Sequence, residues 1–278
     1  MNTVPRLSLN RWTCRTTPLP ELLDACVAGG IGAIGLWRQD IAEHGLDAVR
    51  RMVDERGLAV STLCRGGFLT AADQRDRAEA LADNRRAIEE TAALGADSLV
   101  MVVGGVGEDK DLAAARDRVT AAVTELAPHA ETAGVRLALE PLHPMFAADR
   151  AVLSTLDQGL DIAEATGSTA VGVIVDTYHV WWDPRLDSAI ARAAQAGRLL
   201  SYQVCDWNLP LAAEPLHSRG YMGDGHIDFP AITRLVAGAG YTGPIEVEIF
   251  NEDVWADPVE VAVRTVRERY EELVLPHA

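Results

Sequence analysis

Along the 278 residues one alternation recurs: a segment with helical spacing, often rich in alanine, closes on a glycine, and a short apolar run comes next. The junctions are VAGGIGAIGLW at Gly30, ERGLAVSTL at Gly57, ALGADSLVMVV at Gly95 and TAGVRLALE at Gly134. They continue with ATGSTAVGVIVD at Gly167, QAGRLLSYQV at Gly197 and GAGYTGPIEVEI at Gly240. Glycine ends helices well because it takes the left-handed conformation without a Cβ clash. Seven such junctions, with an opening strand near Arg6 to Asn10, predict eight strands. The segments between them have helical length and periodicity, for instance 76–94 and 112–132.

Eight strands alternating with helices over a chain of this length predict an α/β fold, a (β/α)8 TIM barrel. A doubly wound open sheet is the competing arrangement. With no Pro/Ser-rich linker and no low-complexity block, residues 1–278 read as one domain. The string GIGAIG, Gly30 to Gly35, matches a dinucleotide-binding fingerprint letter for letter. Such a fingerprint follows a strand and opens a helix. This one follows a predicted helix, 20–28, and opens a strand, so nicotinamide binding is not expected.

Charge and composition narrow the partners. The net charge is −16 and no lysine- or arginine-rich block occurs, which argues against nucleic acid, whose binding rests on neutralising phosphates. The opening MNTVPRLSLNRW has no apolar leader core, and no run of about 18 apolar residues occurs later, so no membrane span is expected. Cys14, Cys26, Cys64 and Cys205 are scattered without CxxC spacing and read as reduced thiols in a cytoplasmic protein.

In barrels of this kind chemistry sits at the C-terminal ends of the strands. Those ends read Asn10, Trp37-Arg38, Cys64-Arg65 and Gly104-Gly105, then Glu140, Asp176, Gln203 with Asp206, and Glu246 with Glu248. Period-two alternation sets Glu246, Glu248 and Phe250 on one side of the last strand and Val247 and Ile249 on the other. The apolar pair suits the helices, so both glutamates are expected to point inward, and Gln203 as well. A lone strand-end acid is commonly a turn former, a helix cap or an arginine's partner. Several acids converging repel one another, and burial worsens it, unless one is protonated or a divalent cation sits among them. Glu140, Asp176, Gln203 and Glu248 all offer oxygen, which suits Mg2+ or Mn2+.

The motifs LALEPLHP, VDTYHVWWDP, YQVCDW, RGYMGDGHIDFPAI and GPIEVEIF, in that order, resemble the xylose isomerase-like barrels of the sugar (phosphate) isomerase and epimerase type. The resemblance spans nearly the whole chain. It implies one divalent metal held by Glu140, Asp176, Gln203 and Glu248, with Glu140 and Glu248 as the proton-transfer pair. It also implies that His179 and Arg219 contact substrate oxygens. The strand-seven ligand in these barrels is more commonly histidine. An amide oxygen in its place favours Mn2+ or Mg2+ over Zn2+ or Co2+.

The implied chemistry is proton transfer next to a carbonyl, through an enediolate whose charge the metal stabilises. Return of the proton to the opposite face epimerises, and return to the neighbouring carbon isomerises. The substrate expected is a small keto-sugar or related polyol. Loss of a β-hydroxyl from the same intermediate gives the alternative, a dehydratase or lyase acting on a keto-cyclitol, keto-glycoside or dehydroshikimate-like compound. An abasic-site endonuclease would need further histidines at the ends of strands three and four, where Cys64-Arg65 and Gly104-Gly105 stand. A non-catalytic subunit is a third reading.

The remaining candidates stay open. His143 reads as a substrate contact or a turn residue, Arg65 as an anion contact or part of a turn. Trp37, Trp181 and Trp182 suit a sugar-packing wall or a homodimer interface, where aromatics are enriched. Asp206 is expected to orient a ligand from behind or to cap a helix. Glu246 is expected to pair with a basic group, and His226 to be a loop residue or a stand-in for the missing strand-seven histidine.

Overall fold

The computed structural model describes residues 3–278; Met1 and Asn2, the start of the segment read for a leader, lie outside the described residues. Among the described residues ten strands form: β1 Leu7–Asn10, β2 Ala33–Trp37, β3 Ala59–Gly67, β4 Ser98–Val102, β5 Arg136–Leu139, β6 Val171–Asp176, β7 Leu199–Val204, β8 Asp206–Trp207, β9 Arg219–Gly220 and β10 Ile245–Val247. Eight close into a barrel in the order β1-β10-β7-β6-β5-β4-β3-β2, and β8 pairs with β9 in a separate antiparallel ribbon. Closure rules out the open-sheet alternative: β1 is hydrogen-bonded in parallel to β2 on one side and to β10 on the other.

The glycine punctuation holds at each predicted junction. Gly30, Gly57, Gly95, Gly134, Gly167, Gly197 and Gly240 all take φ between 63° and 79°, the left-handed region that a side chain enters only with strain. The helices they close match the sequence reading closely, Leu19–Gly29, Gln74–Leu94 and Leu112–Ala133 among them. Gly30 caps the first of these through its N–H to the carbonyls of Cys26 and Val27, so GIGAIG is a helix stop running into β2, as its order in the chain implies.

The chain comprises two compact units, residues to Ser61 with Tyr202–Ala278, and Thr62–Ser201. In the first, register sets Ser8 opposite Glu246 and Glu246 opposite Gln203, so one row crosses β1, β10 and β7. Gly35 serves this row, because a Cβ there would lie 2.5 Å from Glu246 Oε1. In the second, β4, β5 and β6 run in parallel, with Leu139 opposite Val173, and Leu137, Leu139, Val171 and Val173 wholly buried. Glu140 directly follows β5 and Asp176 ends β6. The last barrel strand is shorter than the motif PIEVEIF suggests. It ends at Val247, and Glu248 continues the line with its N–H on the Val204 carbonyl at 3.4 Å. Among the described residues no helix is long and apolar enough to cross a membrane.

Candidate active site

In the unit Thr62–Ser201, three buried groups lie together. Ligand atoms of Glu140, Asp176 and His179 all fall within 4.8 Å of one another, and the residues are 5%, 1% and 1% exposed. Local structure explains the grouping. Asp176 caps the short helix Thr177–Val180 by accepting the Tyr178 N–H on Oδ1 at 2.8 Å. One turn of that helix returns His179 toward the same carboxylate, with Nε2 3.8 Å from Asp176 Oδ2. Phe146 and Tyr178 stand edge-on to the imidazole at 5.7 and 5.2 Å between centroids.

The imidazole's protonation follows from its other nitrogen. His179 Nδ1 lies 3.2 Å from the backbone N–H of His143. An amide N–H only donates, so Nδ1 is an acceptor, and the neutral ring carries its proton on Nε2. Nε2 is then a donor facing the Asp176 carboxylate. His143 is half-buried, and desolvation holds its pKa below the usual imidazole range. Trp182 braces this turn, its indole N–H donating to the His179 carbonyl at 2.7 Å while its ring packs edge-on to His143. Arg65, in the same unit, lays its guanidinium over the exposed Phe68 ring, 4.1 Å from the centroid.

The other unit carries Glu248, Gln203 and Arg219, all buried. Arg219 Nη1 meets Glu248 Oε2 at 3.0 Å and the Glu248 carbonyl at 3.2 Å, while its guanidinium lies 4.8 Å from the Phe250 ring. The ribbon of β8 and β9 sets Arg219 opposite Trp207. Asp206 orders the loop beyond β9: its carboxylate accepts backbone N–H groups from Trp207, Gly223, Gly225 and Ile227 at 2.8–3.0 Å. It therefore ties the chain on either side of Arg219 to one point. His226, on that loop, is exposed. Trp37 stacks on Trp12 with centroids 4.2 Å apart and donates its indole N–H to Asn10 Oδ1 at 2.8 Å.

Glu246 is held within this unit by the amides of Asn10 and Gln203 and by the hydroxyl of Ser61. Neutral N–H and O–H donors thus meet both of its oxygens. Gln203 gives its amide N–H to Glu246 at 3.0 Å, and its Oε1 is buried with no hydrogen-bond partner among the described residues.

The family model for the xylose isomerase-like TIM barrel matches residues 23–272. The chain belongs to the xylose isomerase-like TIM-barrel family. Within that family it resembles an inosose isomerase of Halalkalibacterium halodurans, 24% identical over 272 residues that span 95% of this chain and 94% of that protein. It also resembles a 3-dehydroshikimate dehydratase of Pseudomonas putida, 28% identical over 247 residues, 86% of this chain but 37% of that longer protein. A crystal structure of a protein from Sinorhizobium meliloti 1021 superposes with a TM-score of 0.93 at 46% identity, covering 96% of this chain and 98% of the other.

For this xylose isomerase-like barrel, sequence reasoning missed Ser61 and Trp12 and gave Asn10 no role. Phe250 was within reach, since it shares the parity of Glu246 and Glu248. Ser61 and Asn10 carry no local signal, because their part depends on which residue the register of neighbouring strands sets beside them.

Proposed function

We propose that this protein is a divalent-metal-dependent isomerase or epimerase of a small keto-sugar or related polyol. The observation that carries the reading is the buried grouping of Glu140, just past β5, Asp176, at the end of β6, and His179, on the helical turn that follows. Burying two carboxylates side by side is unfavourable without a compensating charge. A cation held by them meets that need. The family resemblance adds Gln203 and Glu248 as further oxygen ligands, and the unpartnered buried Oε1 of Gln203 fits such a donor set. An all-oxygen set suits Mn2+ or Mg2+ ahead of Zn2+. When bound, the cation would stabilise negative charge developing on substrate oxygens.

The chain's own groups do the rest. One of Glu140 and Glu248 takes the proton from the carbon beside the carbonyl, and the other returns one to the opposite face or to the neighbouring carbon. Arg219 fixes the Glu248 carboxylate through a charged hydrogen bond. His179 Nε2–H donates to a substrate hydroxyl or carbonyl oxygen. The aromatic pair Trp12 and Trp37 offers an apolar face for sugar C–H groups. The four cysteines are buried and outside any disulfide, which suits a reducing cytoplasm.

Incubation with ketoses and inososes in deuterated water, with Mn2+ supplied, tests the reading. Deuterium incorporated at one carbon with no loss of water supports it. An unsaturated product one water lighter establishes the dehydratase alternative, favoured by the likeness to the dehydratase. Turnover that survives exhaustive chelation overturns the metal-dependent reading.

A further inference from the structure

Glu246 is a buried acid, 1% exposed, to which the proposed reaction gives no task. Its Oε1 accepts Asn10 Nδ2 at 2.6 Å and Gln203 Nε2 at 3.0 Å, and its Oε2 accepts the Ser61 hydroxyl at 2.5 Å. Ser61 Oγ is also 2.7 Å from Ser8 Oγ, and since Ser61 donates to Glu246, Ser8 donates to Ser61. Asn10 is oriented from its other end, where Oδ1 accepts the Trp12 N–H at 2.9 Å and the Trp37 indole N–H at 2.8 Å. Each donor in this row is thus aimed at one carboxylate. Gly35 leaves the carboxylate the space it occupies.

A glutamine amide has two ends of similar shape and opposite chemistry, and only its hydrogen bonds say which points where. A carboxylate accepts and does not donate, so Glu246 takes the NH2 end of Gln203. The end left over is the oxygen. That oxygen is buried and unpartnered among the described residues, an arrangement proteins seldom keep unless the group has a use.

We propose that Glu246 is a positioning residue: it turns the Gln203 amide so that Oε1, and not the NH2 group, is offered to a divalent cation. The proposal rests on the metal-site reading above and adds to it the residue that selects the ligand atom. With an apolar residue in place of Glu246, the amide is free to turn and presents a group that cannot ligate.

Mn2+ titration by calorimetry on the full chain tests this, using the parent, Glu246→Met, Glu246→Gln, Gln203→Ala and the double variant Gln203→Ala/Glu246→Met, with Asp176→Asn as a control. Glu246→Met is expected to weaken Mn2+ binding about 10–100-fold. Glu246→Gln stays within about threefold of the parent, because an amide oxygen accepts as a carboxylate oxygen does. In the Gln203→Ala background Glu246→Met has no further effect. If it weakens binding equally there, its effect is general to the fold and the positioning role is overturned. If Glu246→Met binds as the parent does while Asp176→Asn does not, the positioning role alone falls. If Asp176→Asn binds as the parent does, the metal-site reading falls first.

A second measurement needs neither metal nor a stable variant. In the metal-free parent, the Gln203 side-chain NH2 protons, assigned through Gln203→Ala, are expected to exchange with solvent at least about tenfold more slowly than those of an exposed glutamine. Exchange at the exposed rate overturns the proposal.

Discussion

Arg219 and Glu248 form a buried ion pair, Nη1 to Oε2 at 3.0 Å, with the Phe250 ring beneath the guanidinium. Removing one partner of such a pair strands the other charge in the interior, which costs about 3–5 kcal/mol. Arg219→Met is therefore expected to lose both stability and turnover, whereas Arg219→Lys keeps most of the stability. Urea denaturation checks this, and an unchanged midpoint for Arg219→Met would remove the pair from the account.

His179 is expected to separate metal binding from turnover. Because Nδ1 already accepts the His143 N–H, the side chain acts through its Nε2–H. His179→Leu, which removes the donor, should bind Mn2+ as the parent does while turnover falls by about 10²-fold, the scale of one lost proton-transfer or charge-stabilising contact. Metal content measured alongside turnover decides it. Loss of metal from this variant would make His179 a ligand.

Asp176→Asn is expected to lose metal and activity together. Its Oδ1 continues to cap the helix Thr177–Val180, so circular dichroism should show the fold retained. Unimpaired turnover by this variant would place the chemistry elsewhere.

Gly35→Ala puts a methyl 2.5 Å from Oε1 and 2.6 Å from Oε2 of Glu246. Overpacking at a site with backbone on one side and a fixed carboxylate on the other is expected to cost about 1–3 kcal/mol. A thermal melt matching the parent's would show that the Glu246 row can shift without penalty.

Burial pushes the Cys14 thiol from 9.0 up to about 12 and the Tyr270 hydroxyl from 10.0 up to about 12. Both are acids held neutral by the fold, so the unfolded chain ionises first as pH rises. The stability they confer is full below about pH 9 and is lost progressively toward pH 12, at up to about 1.4 kcal/mol per pH unit for each group. Urea midpoints from pH 7 to 11 should be flat and then fall, and no thiol should react with a disulfide reagent in the native protein. A flat profile to pH 11 contradicts this.

The sequence carried most of the architecture because its signals are local. A left-handed turn at a helix end demands glycine wherever the helix sits, and seven glycines met that demand. The inward parity of Glu246 and Glu248 followed from the period of a strand alone. The task of Glu246 was not legible in the same way. It depends on register, which sets Ser8 and Gln203 on either side of it, and so its partners are amides and hydroxyls that no local pattern marks. The direction of the Gln203 amide and the tautomer of His179 are likewise properties of hydrogen-bond partners far away in the chain, by 43 and 36 residues.

The Asp206 clamp divides the chain after β7 into two stretches under different backbone constraint. From Arg219 to Ile227 the backbone answers to one carboxylate, and Gly225 has no room for a side chain, since a Cβ there would meet the Trp207 carbonyl oxygen at 2.1 Å. The stretch from 208 to 218, where Leu209 and Leu211 are exposed, lies outside the clamp. A change of side chain at Leu209 or Leu211 therefore leaves the backbone that carries Arg219 to Glu248 held as before.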